Sequence, residues 1–460
     1  MKVKLSSIFN SNGNRAKAFL HFLSALIAVA LTILLLSRVM YVLNKRAAYT
    51  KMDDFYSYPK EYDVWFMGSS HVIMGTIPEE LWKSYGIRSY NMAEYGQGFP
   101  IDYWLIKNLI RIEKPKLIVL DALQINNNEL YSLSNLGAVR SSMLVLPWSK
   151  EKLNMINALF EGDMKEEMIF PFSMRHNNWK QLGNAYYVSF NSGELGGDLN
   201  NFRSGSTRNM VFVTEIPNAI SLEDYIIPEG NGADYFRKII QLCRKENIQV
   251  LIVKSPHVTT EEQLQCYNGA YRIAQEEGIP FIDGFSALNL IDGRTDFWDK
   301  NHLNSSGARK WTDYLGKYIA TNYPELCNSK MNDEQAERWE KRYANYLDWY
   351  TQKMVSQSSL YNYLMLASHP SYCVAIQIKA GTVLYQDTTL MALLDNIGYF
   401  PGLSDAAIQA IEFSGIVNGE TGIVLDSFDL DGDIQITVFD EAMEMIDWAR
   451  FDATGKRIMN

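Results

Sequence analysis

Between Ala18 and Leu36 the chain runs for 19 residues without a charged side chain. At about 1.5 Å of rise per residue, a helix of that length reaches across a hydrocarbon core of about 30 Å. The stretch therefore predicts one membrane-spanning helix, with residues 1–17 as an N-terminal tail and 18–43 as the anchor. A cleaved signal peptide is the alternative, but its apolar region would normally be shorter and end at a small-x-small site. Here the stretch runs into Arg38, Lys45 and Arg46 instead. Charge does not orient the span, because Lys2, Lys4, Arg15 and Lys17 before it balance Arg38, Lys45, Arg46 and Lys51 after it. No later stretch approaches 18 apolar residues, so everything from about Lys51 onward is expected on one side of the membrane.

The remainder is long enough for a soft expectation of about three structural units in 460 residues. With 47% hydrophobic and 21% charged residues it can bury a full core, which excludes disordered and collagen-like classes. The formal charge is −10, from 43 Lys+Arg against 53 Asp+Glu, and no basic run is long enough for a phosphate-binding footprint, so no nucleic-acid partner is expected. Cys243, Cys266, Cys327 and Cys373 stand far apart and in no zinc or redox spacing, leaving room for one incidental disulfide.

From Asp63 onward, short β-rich runs alternate with helical patterns. The runs are Val64 to Met67, Leu117 to Leu120, Val250 to Val253 and Phe281-Ile282, and the helices are expected over Pro78 to Tyr85, Ile101 to Ile112, Tyr235 to Glu246, Glu262 to Glu277 and Ala308 to Tyr323. Such alternation predicts an α/β fold with a parallel sheet and helices on both faces. Residues 126–230, rich in Asn, Gly and Ser, interrupt the repeat and predict a partly helical insertion or lid within a domain of residues 51–325. A linker helix follows in residues 326–356, with Trp339, Tyr343, Tyr346 and Trp349 expected on one packed face. Residues 357–460 predict a separate small α+β domain, with strands at Cys373 to Lys379, Thr382 to Tyr385, Gly422 to Leu425, Ile434 to Phe439 and Met445 to Arg450. Asp429-Leu430-Asp431-Gly432-Asp433 lacks the full EF-hand spacing and is expected to be a hairpin turn.

The first strand ends in Gly68-Ser69-Ser70-His71, and the carboxyl edge of an open parallel sheet is where such folds place reactive groups. Ser70 is the candidate nucleophile, although a small-residue turn before a capped helix would read the same way. Asp299-Lys300-Asn301-His302 stands 229 residues after Ser70. A turn of this kind can offer His302 to a serine hydroxyl as general base, with Asp299 fixing the tautomer and stabilising the imidazolium. His71 is expected to point away from Ser70. His176 and His257 are expected in loops near the strand ends, as surface or structural groups or as lining of a groove.

These blocks resemble the SGNH, or GDSL-like, hydrolase superfamily in its membrane-anchored acyltransferase and esterase branch, over about Asp63 to Tyr323. The resemblance implies a flavodoxin-like parallel sheet and a Ser70, His302, Asp299 triad acting through an acyl-serine intermediate. It also implies an oxyanion hole from the backbone N–H of Ser70, the N–H of Gly96, with Gly98 in reserve, and a third-block asparagine. That third block departs here, because Leu120 is followed by Asp121-Ala122-Leu123-Gln124. The branch includes proteins similar to teichoic-acid D-alanine transfer proteins and alginate O-acetyltransferases, which implies a cell-envelope polymer as substrate and a membrane-protein acyl donor as partner. The tail, through Tyr372 to Lys379 and Ile434 to Asp440, resembles the interleukin-like EMT inducer domain, which implies association with carbohydrate or surface polymer.

No Gly-x-Ser-x-Gly elbow, His-Glu-x-x-His helix, phosphate-binding loop or dinucleotide fingerprint is present, so no cofactor or metal is expected. Two functions follow from these readings. One is an anchored serine acyl-ester enzyme, O-acyltransferase or esterase, with its soluble part outside the cytoplasm. The other is a catalytically inactive SGNH scaffold that binds surface glycan.

Overall fold

The computed structural model describes residues 5–44, 55–56, 58, 60–144, 146–170, 209–286, 290–379, 382–398, 413–417 and 432–458. The chain divides into two compact units, Met1–Thr50 with Phe160–Gly196, and Lys51–Leu159 with Gly197–Asn460.

In the first unit, helix α1 (Leu5–Asn44) contains one segment, Lys17–Val39, long and apolar enough to cross a membrane, and none of that segment is buried against protein. A soluble core helix would hide its apolar side chains, whereas Phe19, Leu31, Ile33 and Leu35 are all exposed.

In the second unit five parallel strands form one sheet in the order β2-β1-β3-β4-β5: β1 (Val64–Met67), β2 (Ser89–Asn91), β3 (Leu117–Asp121), β4 (Gln249–Lys254) and β5 (Phe281–Asp283). β1 and β3 are buried along their whole length, as strands covered on both faces must be, which explains their unbroken apolar runs. The crossovers use α2 (Ser70–Gly75), α3 (Pro78–Tyr85), α4 (Phe99–Leu109), α8 (Asn231–Lys245) and α9 (Glu261–Glu277), and α10 (Ser305–Asn322) follows β5. α3 packs on α10 and α4 on α8. Right-handed crossovers that reverse direction at β1 put these two pairs on opposite faces of the sheet.

The sequence missed β2, because Ser89-Tyr90-Asn91 has only three residues and no β-branched member. Among the described residues of 126–230, α5 (Leu136–Met143) and α6 (Lys150–Leu159) pack on α4, and α7 (Gly162–Ile169) belongs to the first unit. The chain returns as an extended strap from Asn209, which donates Phe212 N–H to Phe297 O (2.9 Å) and Thr214 N–H to Gly293 O (2.8 Å).

Helix α11 (Asp333–Val355) is no free linker. Its aromatic face is buried against the α/β body, where Trp339 stacks on Trp82 at 5.8 Å and Arg342 donates to the Tyr62 hydroxyl at 2.8 Å. The expected stripe is corrected at its end: Tyr350 is buried and Trp349 is only half-buried. Beyond it lie α12 (Leu360–Ala367), α13 (Thr388–Asn396) and an antiparallel sheet in the order β7-β6-β8-β9, from β6 (Cys373–Ile378), β7 (Phe413–Val417), β8 (Ile434–Phe439) and β9 (Met445–Phe451). The strand expected over Thr382 to Tyr385 is instead a 3-10 turn, Val383–Gln386, in which the Thr382 hydroxyl accepts from the Leu384 N–H. Gly422 to Leu425 and Asp429 to Asp431 lie outside the described residues. The tail owns a sheet but shares one compact unit with the α/β body, so the boundary expected at residues 326–357 is bridged by buried side chains. All four cysteines are free thiols, which removes the incidental disulfide.

Candidate functional site

At the carboxyl end of β1 the backbone must leave the sheet and enter α2 within two residues. Gly68 makes that turn at φ +144°, where a Cβ would stand 2.9 Å from Val72 Cγ2 and 3.1 Å from Asp121 Cβ, so the position is closed to any side chain. Ser69 follows as the N-cap and Ser70 as the first helical residue, partly exposed. Asn91, at the end of β2, ties this corner to its neighbour by donating to Val72 O at 3.0 Å.

The partner segment follows β5. Asp299 accepts at Oδ1 from the N–H groups of Asn301 (2.7 Å) and His302 (2.8 Å), a local turn that a carboxylate three residues before a histidine makes by itself. The same carboxylate holds His302 Nδ1 at 2.9 Å. With Nδ1 carrying its proton towards Asp299, Nε2 is the free base, and it lies 2.8 Å from Ser70 Oγ. The three expected residues are thus brought together across 232 positions of sequence, with His302 18% and Asp299 37% exposed.

Two buried polar residues fix the segment and were not legible in the sequence. Asp296, fully buried, pairs with Lys310 at 2.7 Å and accepts from Ser306 Oγ and Asp292 N–H. Asn304, also fully buried, caps α10 by accepting from the Ser306 and Gly307 N–H groups, while its amide donates to Thr295 O at 2.7 Å and Phe297 O at 3.2 Å. Between them Phe297 and Leu303 form a bridge and the Trp298 N–H donates to His302 O at 2.9 Å, so Asp299 and His302 sit on a closed loop.

His71 is corrected. Its ring does not point away, but lies 5.3 Å from the His302 ring and 4.7 Å from that of His257, centroid to centroid. Both ring nitrogens of His71 are buried without a hydrogen-bond partner, although the residue as a whole keeps partial exposure. Burial, together with His257 and His302 nearby, holds His71 well below the ordinary imidazole pKa, so it is neutral at pH 7. His257 is buried rather than on the surface. Its Nδ1 meets Ser255 O at 2.9 Å, its Nε2 has no partner, and burial lowers its pKa to about 4. His176 lies outside the described residues.

Asp121, at the end of β3, spends its carboxylate on the Leu123 N–H at 2.9 Å and on the hydroxyl and N–H of Ser255. Burial raises its pKa, partly offset by the Ser255 hydrogen bond. It accepts three hydrogen bonds and is committed to joining β3 to β4. Gly96 sits at φ +67° in the turn after β2, its Cα facing the Ser132 hydroxyl, and Gly98 is the N-cap of α4. Among the described residues no group of three or more His, Cys, Asp or Glu side chains could hold a metal ion.

The strand order reverses between β1 and β3, and the crevice outside that switch point is where open α/β sheets bind ligands. Fold and site therefore define an α/β chain with a Ser-His-Asp arrangement at the carboxyl edge of its parallel sheet. No protein-family model matches the chain, and no curated protein matches it with significant similarity.

Proposed function

We propose that this chain is a membrane-anchored serine acyl-ester enzyme of the SGNH type, an O-acyltransferase or esterase acting on a cell-envelope polymer. The observation that carries the reading is the continuous Asp299, His302, Ser70 hydrogen-bond chain, 2.9 Å and then 2.8 Å. In this reading Ser70 Oγ attacks an ester carbonyl as His302 Nε2 takes its proton, and Asp299 stabilises the imidazolium. Collapse of the tetrahedral adduct breaks the bond to the leaving alkoxide, which receives the same proton from His302. Water or a sugar hydroxyl then attacks the acyl-Ser70 ester, giving up its proton to His302, and collapse of the second adduct breaks the bond to Ser70 Oγ, which receives that proton and leaves His302 neutral again. The strand order β2-β1-β3-β4-β5 is that of flavodoxin-like sheets, which supports the SGNH comparison. The Ser70 N–H and the Gly96 or Gly98 N–H are proposed as oxyanion donors. Asp121, as an acceptor, supplies no third one.

That last point favours a second reading, an inactive scaffold whose fold and interleukin-like tail hold surface glycan. A fluorophosphonate probe separates the two, because only an activated serine is phosphonylated. Labelling of the wild-type chain and its loss in Ser70→Ala are expected. An unlabelled wild-type chain that binds glycan would establish the scaffold instead.

A further inference from the structure

Asp299 and His302 lie on a loop with no helix or strand of its own, so something must hold it. Part of the holding comes from the far end of the sequence. Asn396, the last residue of α13, donates its amide to Thr295 Oγ1 at 3.2 Å and accepts from Lys310 Nζ at 3.0 Å. Lys310 is the cation paired with the buried Asp296. One tail side chain thus closes the Lys310–Asp296 pair over the amino-terminal end of the loop.

Asn362, on α12, reaches the same loop by another route. Its Oδ1 accepts from the Val211 N–H at 3.0 Å. Val211 lies in the strap, where the neighbouring Met210 O accepts from the Asn304 amide at 3.2 Å and the Phe212 N–H donates to Phe297 O at 2.9 Å. Asn209 Oδ1 also accepts from the Ser305 hydroxyl at 3.2 Å. The strap is therefore clamped between a tail helix on one side and both ends of the Asp299/His302 loop on the other.

We propose that the tail is a brace for the general base, with Asn396 and Asn362 as positioning residues that act through Thr295, Lys310 and the strap to keep His302 on Ser70. The proposal rests on the serine-enzyme reading for its kinetic consequence, but not for its structural one. Neither asparagine touches the reacting atoms. Small displacements of a base cost large factors in rate because proton transfer requires hydrogen-bond geometry.

The test compares Asn396→Ala, Asn362→Ala and the double variant in the full chain, with Tyr361→Phe as a control. The Tyr361 hydroxyl bonds Asp387 within the tail at 2.8 Å and makes no hydrogen bond to the loop. With p-nitrophenyl acetate, the double variant is expected to lose about 10- to 100-fold in kcat with KM little changed and with its melting temperature close to wild type. Tyr361→Phe is expected to keep wild-type kcat. Hydrogen exchange supplies a readout that needs no catalysis: the Trp298 and His302 amides, both hydrogen-bonded within the loop, should exchange faster in the double variant while those of β1 and β3 do not. Unchanged exchange in the loop overturns the proposal. So does a fall in kcat matched by the loss of folded protein. Retained turnover in Ser70→Ala would instead overturn the serine-enzyme reading and leave the exchange result to decide the brace.

Discussion

At the scale of the residue, the three members of the site carry unequal burdens. In the proposed reaction Ser70 would supply the electron pair and His302 would move the proton, whereas Asp299, which is partly exposed, would orient and stabilise. Ser70→Ala and His302→Ala are each expected to lower kcat by on the order of 10⁵–10⁶, and Asp299→Asn by on the order of 10²–10⁴, measured by single-turnover ester cleavage. Equal retention in all three would place the chemistry elsewhere. His257 and His71 predict an acid limb of stability. Their folded pKa values are depressed, so between about pH 6.5 and about 4 the unfolded chain binds more protons than the folded one, and stability is full above that window and falls as pH drops through it. Among the described residues the groups that act on His71 are the imidazoles of His257 and His302, while Lys254 adds like charge beside His257 and Tyr267 and Phe285 pack on its ring. His257→Phe is expected to make the fall of the urea midpoint between pH 6.5 and 4 shallower, with about 3 kcal/mol of pH-dependent stability at stake for His257 and the remainder of the slope left to His71. An unaltered slope would remove His257 as its source. Ser70, Asp299 and His302 were legible as candidates because their positions are written in local order, a strand end and an Asp-x-x-His turn. Asp296, Asn304 and the partnerless nitrogens of His71 were not, since an aspartate or asparagine in a loop is ordinarily solvated and only packing shows otherwise.

At the scale of the element, strands and helices of the βα repeat followed their periodicity, and the departures have physical causes. In α11 the aromatic spacing predicts a stripe that ends at Trp349, ten residues after Trp339, but at about 100° per residue ten steps fall about 80° off the starting direction and eleven fall within about 20° of it. Tyr350 therefore continues the buried face. Trp339→Ala is expected to cost about 3–5 kcal/mol in urea denaturation, against under about 1 kcal/mol for Trp349→Ala. Comparable losses in the two variants would mean that the helix presents another face to the body. The 3-10 turn at Val383–Gln386 shows the same limit at shorter range, because four residues are too few for period alone to separate a strand from a turn capped by Thr382.

For the molecule as a whole, α1 contains one segment long and apolar enough to cross a membrane, and if the proposed acyl chemistry holds, residues from Lys51 onward would stand outside the cytoplasm, where an envelope polymer is presented. A membrane-impermeant fluorophosphonate is expected to label Ser70 in intact cells, and external protease to release the soluble part. Labelling only after lysis would reverse the orientation and require a cytoplasmic substrate. The sequence by itself determined the segment long and apolar enough to cross a membrane, the parallel α/β sheet, the strand-end position of Ser70 and the pairing of Asp299 with His302, because each depends on side chains within a few turns of one another. The tertiary structure decided what depends on surfaces meeting: that His302 Nε2 reaches Ser70 across 232 residues, that His71 and His257 stand beside it, and that a tail with its own sheet is packed into the body. Asn362 and Asn396 make the reason plain. Each is an ordinary polar residue on its own helix, and gains its hydrogen bond only when folding sets that helix against the strap and the loop that carry His302.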